Sequence, residues 1–302
     1  MTTPASNSVA DSSDIKRPSE FYDSDSLFKK RIKTGEESEN QVNTAKASNA
    51  NSSAREGFFE IEADAAEDKG SRHTMEDAWV VLHDAAFNFP GILRCAHFAI
   101  YDGHGGRLAA DYAQKHLNEN VLSAGLPRGW QDGATAVCVW ILDQTVFVAN
   151  IGDAKAVVAR SSAADGSNPL KAIVLTREHK AIYPQERARI QKAGGSVSTN
   201  GRLQGRLEVS RAFGDRQFKK VGVVAIPDVS SFDLTGRDHF IILGCDGLWG
   251  VFGPSDAVAF VHRLLQEGQP VTTISRRLVR EAIRERQCKD NCTAIVIVFR
   301  QQ

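Results

Sequence analysis

Long apolar runs are missing from this chain of 302 residues. No stretch approaches the ~20 apolar residues that span a bilayer, and the Ser-, Asp- and Thr-rich start lacks the apolar segment of a secretory signal. Neither sign of charge is in excess, because Lys plus Arg and Asp plus Glu each number 37. Bulk charge therefore favours neither nucleic acid nor a membrane as a partner. We expect an intracellular protein, in the nucleus, the cytoplasm or both.

Cysteine is also scarce. The five cysteines are odd in number and scattered, which suits a reducing compartment better than a disulfide framework. Cys288 and Cys292 lie four positions apart, but no second Cys/His pair stands near them, which disfavours a zinc site. None of the five is followed six positions later by Arg, the spacing of a cysteine-based phosphatase, and no phosphate-binding P-loop is present.

The composition changes near residue 56. Residues 1–55 are poor in large apolar side chains and rich in polar ones, so they cannot bury enough surface to offset their ordering entropy, and we predict disorder there. The basic cluster 28–33 in this segment has two open interpretations, a nuclear-import signal or a solvated run of charge. Residues 56–302 form the predicted folded domain.

Short β-branched and aromatic runs dominate the folded domain, and helical patterns are fewer. Many strands with a few helices between groups of them predict an α+β protein, in which helices cover the outer faces of paired sheets. The predicted strands are 96–101, 135–142, 145–149, 155–159, 172–175, 240–244 and 294–299, and the predicted helices are 106–122, 185–193, 254–267 and 272–286.

Three aspartates stand where strands and turns meet. Asp102 follows strand 96–101 and precedes Gly-His-Gly-Gly, Asp246 follows strand 240–244, and Asp290 precedes strand 294–299. A glycine beside such an acid, as at Gly103, lets a backbone carbonyl face a bound ion as well. Any one Asp-Gly is usually only a turn, so the combination carries the argument.

A second acidic group lies upstream, in the segment from Arg72 to Asp77. Neighbouring residues of a strand point to opposite faces, so at most one of Glu76 and Asp77 is expected to face the site directly. Carboxylates without clustered His or Cys favour the hard cations Mg²⁺ or Mn²⁺ over zinc.

These motifs occur in one order that resembles the protein phosphatase 2C family, from about residue 58 to the end. The sequence of residues 129–137, Gly-Trp-Gln-Asp-Gly-Ala-Thr-Ala-Val, is similar to that of plant members of the family. The matching motifs are Glu-Asp (76–77), Asp-Gly-His-Gly-Gly (102–106), Asp-Gly-Ala-Thr-Ala (132–136), Asn-Ile-Gly-Asp-Ala-Lys (150–155), Gln-Lys-Ala-Gly-Gly-Ser-Val (191–197), Glu-Val-Ser-Arg-Ala-Phe-Gly-Asp (208–215), Asp-Gly-Leu-Trp (246–249) and Asp-Asn (290–291).

The resemblance implies two packed antiparallel sheets flanked by helices, with two metal ions in the cleft. It further implies that Asp102 bridges both ions and that Gly103 offers its carbonyl. Asp246 and Asp290 would hold one ion directly and Glu76 would act through water. The remaining implied roles are phosphate binding by Arg72, proton donation to the leaving alcohol by His104, and a weaker third metal site at Asp153.

Two features depart from the family pattern. Gly250 stands where many members carry another aspartate of the third metal site. Asp102 and Asp132 are only 30 positions apart, where the family usually has two helices. We therefore predict that the chain is shortened between 122 and 130, as in a splice form that lacks one helix, and such a loss would expose apolar surface.

The leading hypothesis is a monomeric, metal-dependent phosphatase that acts on phosphoserine and phosphothreonine of proteins. The alternative is a catalytically impaired form that binds phosphoproteins for regulation. A metal-dependent nuclease finds no support, because the sequence has no basic stripe with interleaved aromatics.

Overall fold

Antiparallel strands form the framework of the computed structural model, which describes residues 59–85, 94–120, 131–162 and 170–300. Two five-stranded sheets have the orders β1-β13-β12-β8-β9 and β11-β7-β6-β3-β2, and a small sheet has the order β10-β5-β4. The strands are β1 (Glu60–Asp68), β2 (Ala78–Leu82), β3 (Cys95–Tyr101), β4 (Gly103–His104), β5 (Gly133–Ala134), β6 (Ala136–Leu142), β7 (Thr145–Ile151), β8 (Lys155–Arg160), β9 (Lys171–Val174), β10 (Phe213–Gly214), β11 (Asp228–Asp233), β12 (Asp238–Gly244) and β13 (Cys292–Arg300).

Helices flank the sheets, which confirms the predicted α+β sandwich. A single π-helical turn, Glu281–Glu285, extends the last helix. Within the described ranges, no helix has both the length and the apolar character needed to cross a membrane. The helices are α1 (Leu108–Asn120), α2 (Pro184–Lys192), α3 (Arg216–Lys219), α4 (Asp246–Trp249), α5 (Pro254–Gln266) and α6 (Val271–Arg280).

Strand β13, which lies between β1 and β12, shows why the sheets pack as they do. Successive side chains of a strand point to opposite faces. Ile295, Ile297 and Phe299 therefore enter the core between the two large sheets. Val296 and Val298, on the other face, pack in the core beneath α5 and α6. Because both faces are covered, the strand is almost wholly apolar, as its continuous run of hydrophobic residues predicts.

The second large sheet is covered on its outer face by α1. Ala109, Ala110 and Ala113 of this helix share a buried cluster with Ala99 and Tyr101 of β3. The small side chains let the helix approach the sheet closely, immediately after the turn that carries Asp102. This packing fixes one wall of the cleft described below.

Several sequence predictions lie outside the described residues. The structure does not describe the residues on which three predictions depend. These are the disorder of 1–55, the basic cluster 28–33 and the shortened segment 122–130. These stay predictions. The described residues all belong to one compact unit, Ala50–Gln302.

Candidate metal centre and active site

A cavity of about 490 Å³ opens among the strand ends and brings most of the predicted site residues together. Asp77 is not part of its lining, and it is fully buried. The lining contains eight of the nine predicted residues, namely Arg72, Glu76, Asp102, Gly103, His104, Asp153, Asp246 and Asp290.

Asp102 lies in the single-residue break between β3 and β4. Its carbonyl accepts a hydrogen bond from the Thr135 amide at 2.9 Å, which fixes the backbone at this point. A Cβ on the next residue, Gly103, would lie 2.3 Å from the carbonyl oxygen of Glu76. Glycine is therefore required where the segment carrying Glu76 passes the segment carrying Asp102.

Asp246 follows strand β12, as the sequence predicts, and begins helix α4, with Cys245 as the one residue between the two elements. A Cβ on the following Gly247 would lie 2.0 Å from the Asn291 carbonyl oxygen. The first turn of α4 can thus touch the loop before β13, and this contact brings the segments of Asp246 and Asp290 together.

Asn291 ties the upstream loop to the same place. Its side-chain Oδ1 accepts from the Glu76 amide at 2.8 Å. Its Nδ2 donates to the carbonyls of Lys69 and Thr74 at 3.1 and 2.9 Å. Asn291 thereby holds the loop that carries Arg72 and Glu76. Asn291 belongs to the Asp-Asn motif (290–291), which predicts no role for it, because only the fold shows which loop it meets.

Asp77 lies behind Asp102. One polar atom from each of Asp77, Asp102 and Cys245 falls within 4.8 Å of the others. The Thr293 hydroxyl donates to Asp77 Oδ2 at 2.5 Å, while Oδ1 has no partner among the described residues. Burial raises the pKa of Asp77 to about 6, against hydrogen bonds from Thr293 and Cys245 that lower it. An orphaned buried carboxylate oxygen is a group that a cation would satisfy.

The acidic side chains perturb one another strongly. Burial and the charges of Asp77, Asp246, Asp153 and Asp290 raise the pKa of Asp102 well above its usual range. Burial and the neighbouring aspartates likewise raise the pKa of Asp246 to about 7. Because like charges in a desolvated site resist joint ionisation, this donor set fits divalent cations, which would stabilise the ionised forms.

Two basic groups touch the acidic cluster. Arg72 Nη2 lies 2.6 Å from Asp290 Oδ2, with 59% of the arginine side chain exposed. Lys180 Nζ lies 3.4 Å from Asp153 Oδ2 and 2.8 Å from Glu208 Oε1. Asp153 is thus already paired with an ammonium group, an interaction that the sequence motifs did not predict.

His104 projects into the cavity from β4. Its Nε2 lies 2.8 Å from Oδ2 of the buried Asp215. Burial opposes protonation of the ring, but the hydrogen bond and charge of Asp215, together with the charges of Asp153 and Glu76, raise the pKa of His104. Asp215 ends the 208–215 motif, which predicts no role for it. The local sequence does not indicate its contact with His104, because the two residues lie 111 positions apart.

The comparisons with known proteins agree with this geometry. The family model "Protein phosphatase 2C" matches residues 123–292. "Probable protein phosphatase 2C 8" of Arabidopsis thaliana is 68% identical over 280 residues, covering 80% of each chain. "Probable protein phosphatase 2C 67" of rice is 64% identical over 293 residues, covering 84% of this chain and 80% of the relative.

The chain belongs to the protein phosphatase 2C family. It is a protein serine/threonine phosphatase, and its close relatives are plant proteins. The human "Integrin-linked kinase-associated serine/threonine phosphatase 2C" is 34% identical over 290 residues, covering 80% of this chain and 73% of that protein. No comparison favours the alternative of a catalytically impaired binding form.

The fold of this phosphatase 2C chain matches a solved structure of the family. The serine-threonine phosphatase 2C of Toxoplasma gondii superposes with a TM-score of 0.69 at 23% identity, covering 81% of this chain and 96% of that one. The family-model match begins at residue 123, downstream of Arg72, Asp102 and His104. These three residues lie outside the matched range, but the structure places them in the same cavity as Asp246 and Asp290.

Proposed function

We propose that this phosphatase hydrolyses phosphoserine and phosphothreonine on proteins with two Mg²⁺ or Mn²⁺ ions bound in the acidic cavity. The observation that carries the proposal is the convergence of Asp102, Asp246 and Asp290 in one cavity with Glu76 and His104. The donors are all oxygen atoms, the ligands that these hard cations prefer. The unpartnered Oδ1 of buried Asp77 supports the same fit.

The carboxylates of Asp102, Asp246 and Asp290, with the Gly103 carbonyl, are the proposed direct ligands. We assign Glu76 a contact through water. Asp77 lies behind Asp102 outside the cavity lining, so we assign it too a contact through water, which its Oδ1, unpartnered in the part of the chain that the structure describes, would accept. The bound ions would supply a hydroxide at neutral pH and charge neutralisation at the phosphoryl group.

The remaining steps fall to side chains of the chain itself. The exposed guanidinium of Arg72 can donate two parallel hydrogen bonds to phosphate oxygens, which orients the phosphoryl group. The alkoxide of serine or threonine is a strong base and a poor leaving group. Protonated His104, at the cavity wall, can give it a proton as the P–O bond breaks, and general acid catalysis of this kind contributes ~10²–10⁴-fold.

The test is phosphate release from a phosphothreonine peptide. We expect release with Mn²⁺, none with excess EDTA, and a loss of ~10²-fold or more in kcat/KM for Asp102→Asn, because Asp102 is a proposed direct ligand and would hold the ions that activate water. Asp238→Asn is the matched control, since Asp238 is also a buried aspartate but pairs with Arg160 away from the cavity. Release that persists in EDTA would rule out the metal-dependent mechanism.

Three further expectations belong to this proposal. We propose a monomer, acting on phosphoproteins in the nucleus or cytoplasm, without nucleic acid or membrane as an obligatory partner. The balanced charge of the whole chain supports the last point. Light scattering of the purified chain and imaging of a fluorescent fusion would test the oligomeric state and the location.

A further inference from the structure

The small three-stranded sheet joins three segments that are far apart in sequence. Gly133 of β5 is the central residue, opposite His104 of β4 on one side and Gly214 of β10 on the other. His104 is two residues from Asp102, and Asp215 directly follows Gly214. The sheet therefore brings Asp215 beside the cavity, although no role in the reaction has been assigned to it.

Asp215 is held firmly in place. Its amide donates to the Asp132 carbonyl at 3.0 Å, and its own carbonyl accepts from the Phe218 amide at 2.9 Å. Its side chain is only 3% exposed. Its backbone has φ 49° and ψ 40°, the left-handed region that residues other than glycine seldom adopt. A strained residue of this kind needs support from its surroundings and is frequent at functional sites.

Gly133 permits the contact between the two side chains. A Cβ at this position would lie 2.3 Å from Asp215 Oδ2 and 2.3 Å from His104 Nε2. Those are the two atoms that meet at 2.8 Å. Even a single methyl group at residue 133 would therefore push the carboxylate and the imidazole apart.

We propose that Asp215 is a positioning residue that holds the His104 ring so that Nδ1 is the nitrogen facing the substrate. A carboxylate oxygen can only accept, so Nε2 carries the proton shared with Asp215. Nδ1 has no hydrogen-bond partner among the described residues, and His104 lines the cavity. The hydrogen bond at one ring nitrogen decides the state of the other.

This inference rests on the proposed function, and it specifies which nitrogen of His104 gives the proton to the leaving group. As the bond between phosphorus and the leaving oxygen breaks, that oxygen takes the proton of Nδ1 and departs as the serine or threonine hydroxyl. The imidazole is left neutral with its proton on Nε2, still bonded to Asp215. Hydroxide forms the new bond to phosphorus, so inorganic phosphate is the second product.

The kinetic test compares two leaving groups. For Asp215→Asn we expect kcat on a phosphothreonine peptide to fall ~10–10²-fold with KM nearly unchanged, because general acid catalysis is impaired. On p-nitrophenyl phosphate, whose leaving phenolate is weakly basic, we expect a loss of less than ~3-fold. Gly133→Ala should give the same pattern with both partners still present. Asp238→Asn, a buried aspartate elsewhere, should leave both substrates nearly unaffected.

Retained turnover of p-nitrophenyl phosphate shows that the variants are folded. Equal losses on the two substrates, or no loss on the phosphopeptide, would overturn the proposal. A separate readout does not need turnover. In nitrogen NMR of the wild-type protein with Mg²⁺ we expect His104 to carry its proton on Nε2 when neutral, and Asp215→Asn to shift this tautomer. A wild type with the Nδ1 tautomer overturns the positioning role, whereas an inactive wild type with the Nε2 tautomer overturns only the proposed function.

Discussion

Gly250 stands where many members of the family carry an aspartate, so this chain has one carboxylate fewer near Asp246. Gly250 is the C-cap of helix α4, directly after Trp249 and four residues after Asp246, so a side chain at this position would lie on the same face as Asp246. It lines a second cavity together with Asp246 and Asp290. Its φ of −71° and ψ of −23° are ordinary helical values. An aspartate at this position is therefore compatible with the backbone.

We predict that Gly250→Asp adds one weakly bound Mn²⁺ per chain. The reason is that a further carboxylate would stand beside Asp246 and Asp290 in the cavity that Gly250 lines. Calorimetric titration with Mn²⁺ gives the number of ions bound. Gly250→Asn, with the same shape and no charge, should bind as many ions as the wild type. Equal stoichiometry in all three proteins would contradict the prediction.

At the scale of elements, the segment that carries helix α2 is joined to the sheets by a buried ionic network. Glu186 of α2 accepts from Arg189 at 2.7 Å and from Arg211 at 2.8 Å. Arg211 also donates to Asp228 of β11 at 2.7 Å. Burial opposes ionisation of Glu186, but hydrogen bonds from Arg211, Ser210 and Arg189 outweigh it and lower the pKa to about 2.

We predict that Glu186→Gln lowers the free energy of unfolding at pH 7 by ~3 kcal/mol, because the partly buried guanidinium groups of Arg189 and Arg211 lose the buried carboxylate that they share. Since the folded-state pKa is depressed, this stabilisation is present above the unfolded value near 4.3 and is lost as the pH falls toward 2. Urea denaturation at several pH values measures it. Glu267→Gln, at the exposed pair with Arg263, should cost ~0–1 kcal/mol, and a similar cost for both would refute the argument.

The same scale shows what the sequence could predict. All seven predicted strands and all four predicted helices are present, with ends shifted by a few residues. Most of these elements are buried on at least one face, so their hydrophobic pattern is strong; the exposed edge strand β9 was predicted from its apolar run alone. Strand β1 was missed because it reads Glu-Ile-Glu-Ala-Asp-Ala-Ala-Glu-Asp and is half-exposed at a sheet edge. Its pairing with β13 is a tertiary contact that no local pattern reveals.

The candidate site divides in the same way. The three aspartates Asp102, Asp246 and Asp290 were named because each lies at the edge of a predicted strand, and His104 was named through the family resemblance. The contacts of Asn291 with the Glu76 loop and of Asp215 with His104 join residues 215 and 111 positions apart. Such pairs depend on sheet order and register, which the local sequence does not contain.

For the molecule as a whole, the acidic centre lowers stability when no metal is bound. The pKa of Asp246 is about 7 in the folded chain, raised by burial and by Asp153, Asp290 and Asp77. The unfolded value is near 3.9. Between these values the folded state binds more protons than the unfolded state, so stability contributed by the neutral carboxyl is lost as the pH rises through about 7.

We predict that, in EDTA, the Tm of the wild type minus that of Asp246→Asn falls by several degrees from pH 4 to pH 7.5. One pKa unit is about 1.4 kcal/mol, and 1 kcal/mol shifts Tm by ~2–4 °C for a domain of this size. Histidine contributions are common to both proteins and cancel in the difference. Saturating Mg²⁺ should abolish the fall for the wild type. A difference that is constant with pH would show that Asp246 ionises freely.

The length of the chain bears on its overall stability. The alignment with the Arabidopsis relative spans 280 positions but only 80% of this 302-residue chain, so about forty of its positions have no counterpart here. We infer that they fall between Asp102 and Asp132, which are only 30 positions apart and between which the family-model match begins, at residue 123. The outer face of the second large sheet retains exposed apolar surface, including Val229 at 64% and a half-buried Trp140.

We predict that grafting the relative's segment between residues 122 and 131 raises the Tm by ~5 °C or more. If the segment covers apolar surface on this sheet, each 100 Å² buried contributes ~2.5 kcal/mol before the entropy of ordering is subtracted. Differential scanning fluorimetry with Mg²⁺ measures the change. A linker of equal length made of Gly and Ser is the control and should lower the Tm, since it adds loop entropy without burial. If the graft and the linker give the same Tm, the segment buries no apolar surface on this sheet, and the short connection does not destabilise the protein.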